Sequence, residues 1–173
     1  MVDDREIDEL LALPKRITEP PSKKWREEDS QRRKDFRLES FDGTYKFRAF
    51  ARQSIVYAEN FSIGLEYEPA SGDDSMILIR CNGPHGDYNG QLQPEHPHFH
   101  PHVHKASSRA LLRGERAEKY ATRTTDFLTA EQAVAFFLNV VNVSSSEREQ
   151  FFREELERSF DSRQGFLFDE TEN

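Results

Sequence analysis

The sequence predicts an α+β domain in which an antiparallel β-sheet of five or six strands packs against an N-terminal helix and two C-terminal helices. Apolar and polar residues alternate along the middle of the chain, as they do in half-buried strands. Short turn sequences, DG at 42–43 and SGDD at 71–74, separate these stretches and favour an antiparallel meander. Helical spacing of apolar residues is found near the two ends of the 173-residue chain.

The composition is that of a folded core with polar ends. Hydrophobic residues make up 35% and charged residues 32%, but 14 phenylalanines supply material for a core. No apolar run approaches the roughly 18 residues of a membrane helix, and the acidic N-terminus lacks the pattern of a secretory signal. We therefore expect a cytoplasmic protein without membrane association. The single cysteine, Cys81, excludes an intramolecular disulfide and a cysteine-based zinc site.

The N-terminal region predicts a helix followed by a linker. Residues 3–13 carry apolar side chains at helical spacing with acidic residues in the first turn, and Pro14 ends the helix. Residues 14–34 are highly charged and are interrupted by two consecutive prolines, so we expect a linker with a short helix near Trp25. Residues 1–34 are accordingly assigned as N-terminal helix and charged linker.

The middle of the chain predicts the strands of the sheet. The nearly continuous apolar run at 76–81 is typical of a central strand. A loop starts at 82 and runs to about 97, and an extended histidine-rich segment follows at 98–104. The remaining predicted strands are 36–39, 45–52 and 61–68.

Two capping sequences predict the C-terminal helices. Thr129-Ala-Glu-Gln132 is a capping box and opens a helix to about Val143. A second cap at 144–147 opens a helix through Phe160. We assign residues 35–160 as a single α+β domain and 161–173 as an acidic tail.

All six histidines lie in one short segment after the central strand. In an extended chain His98, His100, His102 and His104 share one face, with neighbours about 6.5–7 Å apart. Two neighbours can therefore act on one atom, and His85 in the preceding loop is a third. We expect His85, His102 and His104 to converge, with His98 towards the end of the row.

The histidines predict acid–base chemistry on a phosphate. The imidazole pKa lies near neutrality, so one ring of a pair acts as base and the other as acid, as cleavage of RNA through its 2′-hydroxyl requires. The segment 97–125 holds six basic and two acidic residues in an otherwise acidic chain of net charge −8. Arg80 at the end of the central strand, with Lys105, Lys119 and Arg123, is expected to stabilise the phosphorane charge.

The same residues support two other interpretations. The His-x-His spacing also fits zinc held by His100, His102 and His104, with His85 or an acid completing the set, in a metal-dependent hydrolase. In the third interpretation the histidines are structural and the charged helices bind a protein partner, with no enzymatic activity.

The segments IRCNGPH at 79–85 and PHVHK at 101–105 resemble those of TumE-like toxins from bacterial toxin–antitoxin loci. The shared order is a strand, an arginine or tyrosine, an Asn-x-Pro-His turn, a His-x-His strand and a closing helix, over about residues 76–143. The resemblance implies a small ribonuclease-type toxin neutralised by an antitoxin protein. The positions that it carries over are Arg80, Asn82, His85, His102 and His104.

The interpretation we favour is a toxin-like ribonuclease that cleaves RNA without a metal cofactor. Its partners are RNA and an antitoxin, and the sequence leaves the oligomeric state open. The expected catalytic residues are His85, His102, His104, Arg80 and Asn82, and the expected substrate-binding residues are Lys105, Lys119, Tyr120, Arg123 and His100.

Overall fold

An antiparallel sheet of eight strands forms the centre of the protein, whose computed structural model describes residues 2–86 and 93–168, with side chains as far as residue 161. The elements are α1 (Asp4–Ala12), β1 (Lys15–Glu19), β2 (Arg26–Glu28), β3 (Gln31–Ser40), β4 (Lys46–Ser54), β5 (Phe61–Glu68), β6 (Met76–Asn82), a 3₁₀ helix (Pro97–Phe99), β7 (His102–Lys105), α2 (Ser108–Leu112), β8 (Ala121–Arg123), α3 (Ala130–Val140) and α4 (Ser145–Phe168), which is kinked at Phe152. The strand order is β1-β3-β4-β5-β6-β7-β8, and β2 pairs with β3.

The predicted α+β class is confirmed, and the sheet is larger than predicted. The structure places β1 and β2 in residues 14–34, so the prediction of a linker with a helix near Trp25 is wrong there. Both strands pair with β3, and their charged side chains are balanced by ion pairs such as Arg16–Glu39 and Arg33–Glu28. Backbone hydrogen bonds between strands do not require alternating apolar residues, so a charged edge strand can have the same sequence pattern as a linker.

A buried lysine fixes the start of β1. The Nζ of Lys15 lies 2.7–3.1 Å from the carbonyl oxygens of Leu10, Leu11, Leu13 and Val141, which share its three N–H donors. These carbonyls lie at the ends of α1 and α3, where backbone acceptors lack partners within their own helix. One cation thus ties the first strand to two helices.

The two faces of the sheet differ in chemistry. One face is apolar and packs against the buried side chains of α1, α3 and α4; Phe36, for example, meets Phe152 with ring centroids 5.1 Å apart. Strand residues with the opposite parity, such as Arg48, Arg52 and Arg80, lie on the other face, which we call the outer face.

The C-terminal helices begin where the capping sequences predict. Thr129 Oγ1 accepts from the backbone N–H of Gln132 at 3.2 Å, and Ser144 Oγ accepts from that of Glu147 at 3.4 Å. α4 continues to Phe168, beyond its predicted end at Phe160, and the last five residues of the expected acidic tail lie outside the described residues. Among the described helices, none is both long enough and apolar enough to cross a bilayer.

Candidate functional site

Two paired strands carry the first half of the site on the outer face. The register of β6 and β7 places Arg80 opposite His104 and Asn82 opposite His102. Partners directly opposite each other in an antiparallel pair point to the same face. Four of the five catalytic residues expected from the sequence are therefore neighbours.

A glycine turn after β6 brings in the fifth residue, His85. A Cβ atom at Gly83 would lie 1.8 Å from the backbone oxygen of Glu59, so only glycine fits this path. The Gly83 N–H donates to the carbonyl of Phe61 at 3.0 Å. The His85 N–H then donates to the carbonyl of His98 at 2.9 Å, which joins the turn to the 3₁₀ helix.

The imidazole rings form a compact cluster. Ring centroids are 4.6 Å apart for His85–His98, 5.0 Å for His85–His102 and 4.9 Å for His98–His102. His104 lies 5.0 Å from His102 and 5.5 Å from His98. One ring nitrogen from each of His85, His98 and His102 lies within 4.8 Å of the other two. We call these three residues the histidine triad.

The cluster differs from the prediction in the position of His98. The structure brings His85 and His104 each against His102, as expected. His98 was expected towards the end of an extended row, and it instead joins the centre. The cause is the 3₁₀ helix, which bends the chain back over the sheet before β7 begins. His100 lies outside the triad, so the set His100, His102 and His104 is not the one whose nitrogens converge.

Backbone carbonyls fix which ring nitrogens carry protons. His102 Nδ1 lies 2.8 Å from the carbonyl oxygen of His100, and His104 Nδ1 lies 3.0 Å from that of Glu118. A carbonyl oxygen only accepts, so both Nδ1 atoms are protonated and donate. The Nε2 atoms of the neutral rings keep their lone pairs, which is the usual arrangement of histidines that bind metal ions.

Burial keeps His102 and His104 uncharged at pH 7. Desolvation lowers the pKa of His102 to about 4 and that of His104 to about 3, and it also lowers the pKa of His85. The backbone bond from Nδ1 opposes each of the first two shifts and is the weaker effect. At pH 7 a ring with such a pKa is neutral and keeps only its Nδ1 proton, which is donated to the backbone, so it serves poorly as a general acid.

Asn82 is oriented by Ser62 and faces His102. The Ser62 hydroxyl donates to Asn82 Oδ1 at 2.8 Å, which turns the Asn82 Nδ2 towards His102 Nε2 at 3.4 Å. Asn82 is buried and has no exposed position from which to meet a large substrate directly. Its geometry is that of a group that positions His102.

A basic cavity of about 620 Å³ opens beside the triad. Its basic residues are Arg80, Arg116 and Lys119. The buried Nε of Arg80 has no hydrogen-bond partner among the described residues, and burial lowers the Arg80 pKa from its ordinary value. Glu118 Oε1 lies 3.9 Å from the guanidinium groups of both arginines, too far for a hydrogen bond. The cavity therefore offers donors to an anion.

The remaining predicted substrate contacts divide into two groups. Lys119 and Tyr120 line the basic cavity, and the Tyr120 hydroxyl donates to Glu115 at 3.0 Å. Lys105 pairs with Asp8 of α1, away from the cavity. Arg123 lies opposite His102 in β8 but is exposed and does not line the cavity.

The sequence interpretation missed three residues of the site. His98 and His96 approach with ring centroids 4.6 Å apart, and both line the basic cavity with Arg116. The signal for Arg116 was its place in the basic segment 97–125. The signal for the two histidines was the proline at 97, which favours a turn rather than a continuing strand.

Comparison with known proteins gives this chain no relative: no family model, no curated protein and no solved structure matches it. The resemblance to TumE-like toxins therefore stays a prediction.

Proposed function

We propose that the protein is a metal-dependent hydrolase of phosphate esters, with a zinc-type ion held by the histidine triad. The observation that carries this proposal is the convergence of three imidazole nitrogens within 4.8 Å of one another. Zinc–nitrogen bonds of about 2.0–2.1 Å put tetrahedral ligands about 3.4 Å apart, so each ring needs to move by about 1 Å or less. Such movement is within the reach of side-chain rotation.

The protonation pattern supports the same assignment. His102 presents Nε2 because His100 accepts from its Nδ1. The long 3.4 Å contact from Asn82 is the interaction that metal binding replaces there. Three protein ligands leave a fourth position for water, and zinc in such a site supplies water activated at neutral pH.

The basic cavity supports phosphate as the group that is attacked. Arg80, Arg116 and Lys119 lie beside the triad, and guanidinium and ammonium groups bind phosphate oxygens through charge-assisted hydrogen bonds. In hydrolysis, water forms a bond to phosphorus, the bond to the ester oxygen breaks, and the leaving alcohol takes a proton. RNA is the substrate that the resemblance to TumE-like toxins implies.

The test is metal content and metal-dependent cleavage. Protein purified without a nickel column is expected to bind about one equivalent of zinc by elemental analysis. The variants His98→Ala and His102→Ala are expected to lose it, while His100→Ala, which removes a ring outside the triad, retains it. Hydrolysis of a phosphodiester is expected to stop with EDTA and to return with zinc.

Two results would overturn this assignment. Cleavage of RNA that resists EDTA would favour the metal-free acid–base ribonuclease instead. A protein that binds no zinc, cleaves no ester and keeps its cellular phenotype after His102→Ala would favour a structural role for the cluster.

A further inference from the structure

His85 separates two depressions of opposite character. On one side lies the basic cavity with Arg80, Arg116 and Lys119. On the other lies a smaller cavity of about 300 Å³, whose walls include Tyr57, Glu59 and His85. A ligand that contacts His85 therefore has room to extend in both directions.

The turn between β4 and β5 exposes large hydrophobic side chains, of which Tyr57 lines the smaller cavity. Tyr57 is 62% exposed, and Ile55 and Val56 beside it are also exposed. The turn is nevertheless well fixed, because Ser54 Oγ accepts from the N–H of Val56 at 3.2 Å and of Tyr57 at 3.0 Å. The fixed turn holds the ring of Tyr57 in water beside the histidine cluster. An exposed aromatic ring in such a place is suited to stack on a planar ligand.

The charged side chains that line each depression determine which group of a ligand it can bind. Glu59 lines the smaller cavity and disfavours a phosphate there, while its carboxylate and the neighbouring Asn60 offer hydrogen-bonding groups. The larger cavity has the cations that a phosphate needs. A ligand that fills both depressions places a planar, hydrogen-bonding group in the smaller cavity and a phosphate in the basic cavity, with His85 between them. A nucleotide joins these two groups in one molecule.

We infer that Tyr57 stacks on a base of a single-stranded nucleic acid whose phosphate lies in the basic cavity. This inference rests on the proposed function and names the substrate class of the same site. Bases in a duplex are stacked on each other and offer no free face, which restricts the ligand to a single strand. Stacking on an exposed aromatic ring combined with a basic groove is the general mode of single-strand binding.

The experiment compares two labelled probes on the zinc-loaded, full-length protein. One is a short oligouridylate with phosphorothioate linkages, which keep the negative charge and resist hydrolysis, and the other is an abasic strand with the same linkages and equal length. Tyr57→Ala is expected to weaken binding of the oligouridylate by about 5- to 100-fold and to leave binding of the abasic strand unchanged. Tyr57→Phe is expected to bind both probes as the wild type does.

Two control variants sharpen the result. Phe41→Ala removes a similarly exposed ring (59%) from the β3–β4 turn and is expected to change neither affinity. Lys119→Ala is expected to weaken both probes by the same factor, and more strongly at low salt, because it removes a phosphate contact.

The outcomes separate this inference from the proposed function. Zinc binding together with equal loss, or no loss, for both probes in Tyr57→Ala would overturn the role of Tyr57 alone. A base-dependent effect of Tyr57 in protein that binds no zinc would support the inference and overturn the metal site. Failure of the wild type to bind either probe would overturn the inference and favour a protein partner for this turn.

Discussion

Arginine side chains on the outer face of the sheet have different ion-pair partners in two regions. Across β3–β5, each arginine meets a carboxylate on a neighbouring strand: Arg52 lies 2.7 Å from Asp35, and Arg48 lies 2.7 Å from Glu66. Across β6 and β7, Arg80 lies 3.9 Å from Glu118, and its Nε has no hydrogen-bond partner within the part of the chain that the structure describes. In the first region the arginines are hydrogen-bonded to their carboxylates, whereas in the second Arg80 has only the Coulombic attraction of Glu118 and keeps hydrogen-bonding capacity for a ligand.

The difference shows that one region of the sheet is neutralised by ion pairs while the other keeps polar groups for ligand binding. Paired exposed charges contribute little energy and keep the face soluble. The buried imidazoles of His102 and His104 and the buried Nε of Arg80 carry a desolvation cost, which the core on the opposite face offsets. We expect changes in the β6–β7 region to have large effects on stability at low pH and on ligand binding, and changes in the β3–β5 region to have small ones.

Acid is expected to have the largest effect, and it acts on the β6–β7 region. The pKa of His102 falls to about 4 and that of His104 to about 3, below the roughly 6.5 of the unfolded chain. The unfolded state then binds more protons, so stability is complete above about pH 6.5 and falls as the pH drops towards 4 and 3. For metal-free protein, about 1.36 kcal/mol per pKa unit for each of the two histidines makes this a loss of several kcal/mol in the free energy of unfolding between pH 7 and 4, measured with urea.

The control for this pH effect is the double variant His102→Gln, His104→Gln. Its free energy of unfolding is expected to fall less between pH 7 and 4 than that of the wild type, although its value at pH 7 is lower. Parallel pH profiles would assign the acid sensitivity to other groups.

A methyl group at Gly83 is expected to have the next largest effect. In Gly83→Ala the new Cβ meets the backbone oxygen of Glu59, which cannot move aside, so the turn that carries His85 shifts. We expect the free energy of unfolding to fall by about 1–3 kcal/mol, as in other overpacked sites, and zinc affinity to fall with it. Urea unfolding and zinc titration measure the two effects.

Gly64→Ala is the matched control in β5. Its Cβ would meet the ring of Phe50, a side chain that can rotate, and would lie 3.2 Å from the backbone oxygen of Ile79, a milder backbone contact than at Gly83. The loop that holds His85 does not begin at Gly64. We expect a smaller loss of stability and unchanged zinc affinity. Equal zinc affinities in the two variants would show that Gly83 does not position His85 for zinc binding.

The smallest effect is expected for Arg48→Ala in the β3–β5 region. The Arg48–Glu66 pair is partly exposed, and such pairs contribute about 0.2–1 kcal/mol. Phosphate-ester cleavage is expected to stay at the wild-type rate, whereas Arg80→Ala raises the KM or lowers kcat. A loss of activity in Arg48→Ala comparable to that in Arg80→Ala would erase the distinction between the two regions.

Local patterns were enough for much of the fold. The capping residues Thr129 and Ser144 identify the starts of α3 and α4, because a cap depends on residues within one turn. The alternation in 61–68 and the apolar run in 76–81 likewise identify β5 and β6. The edge strands β1 and β2 were not predicted, because their stabilising contacts are not local in sequence. They form backbone hydrogen bonds with β3, and the partners of Lys15 include Val141, far along the chain.

The sequence by itself determined that the histidines are concentrated beside a central strand and a basic segment, because residue type and spacing are local properties. Only the tertiary structure decided which of them meet. The 3₁₀ helix at Pro97–Phe99 carries His98 into the cluster, and the carbonyls of His100 and Glu118 set the protons of His102 and His104. Burial then lowers the imidazole pKa values, since desolvation depends on every element packed around the rings and not on the residues next to them in the chain.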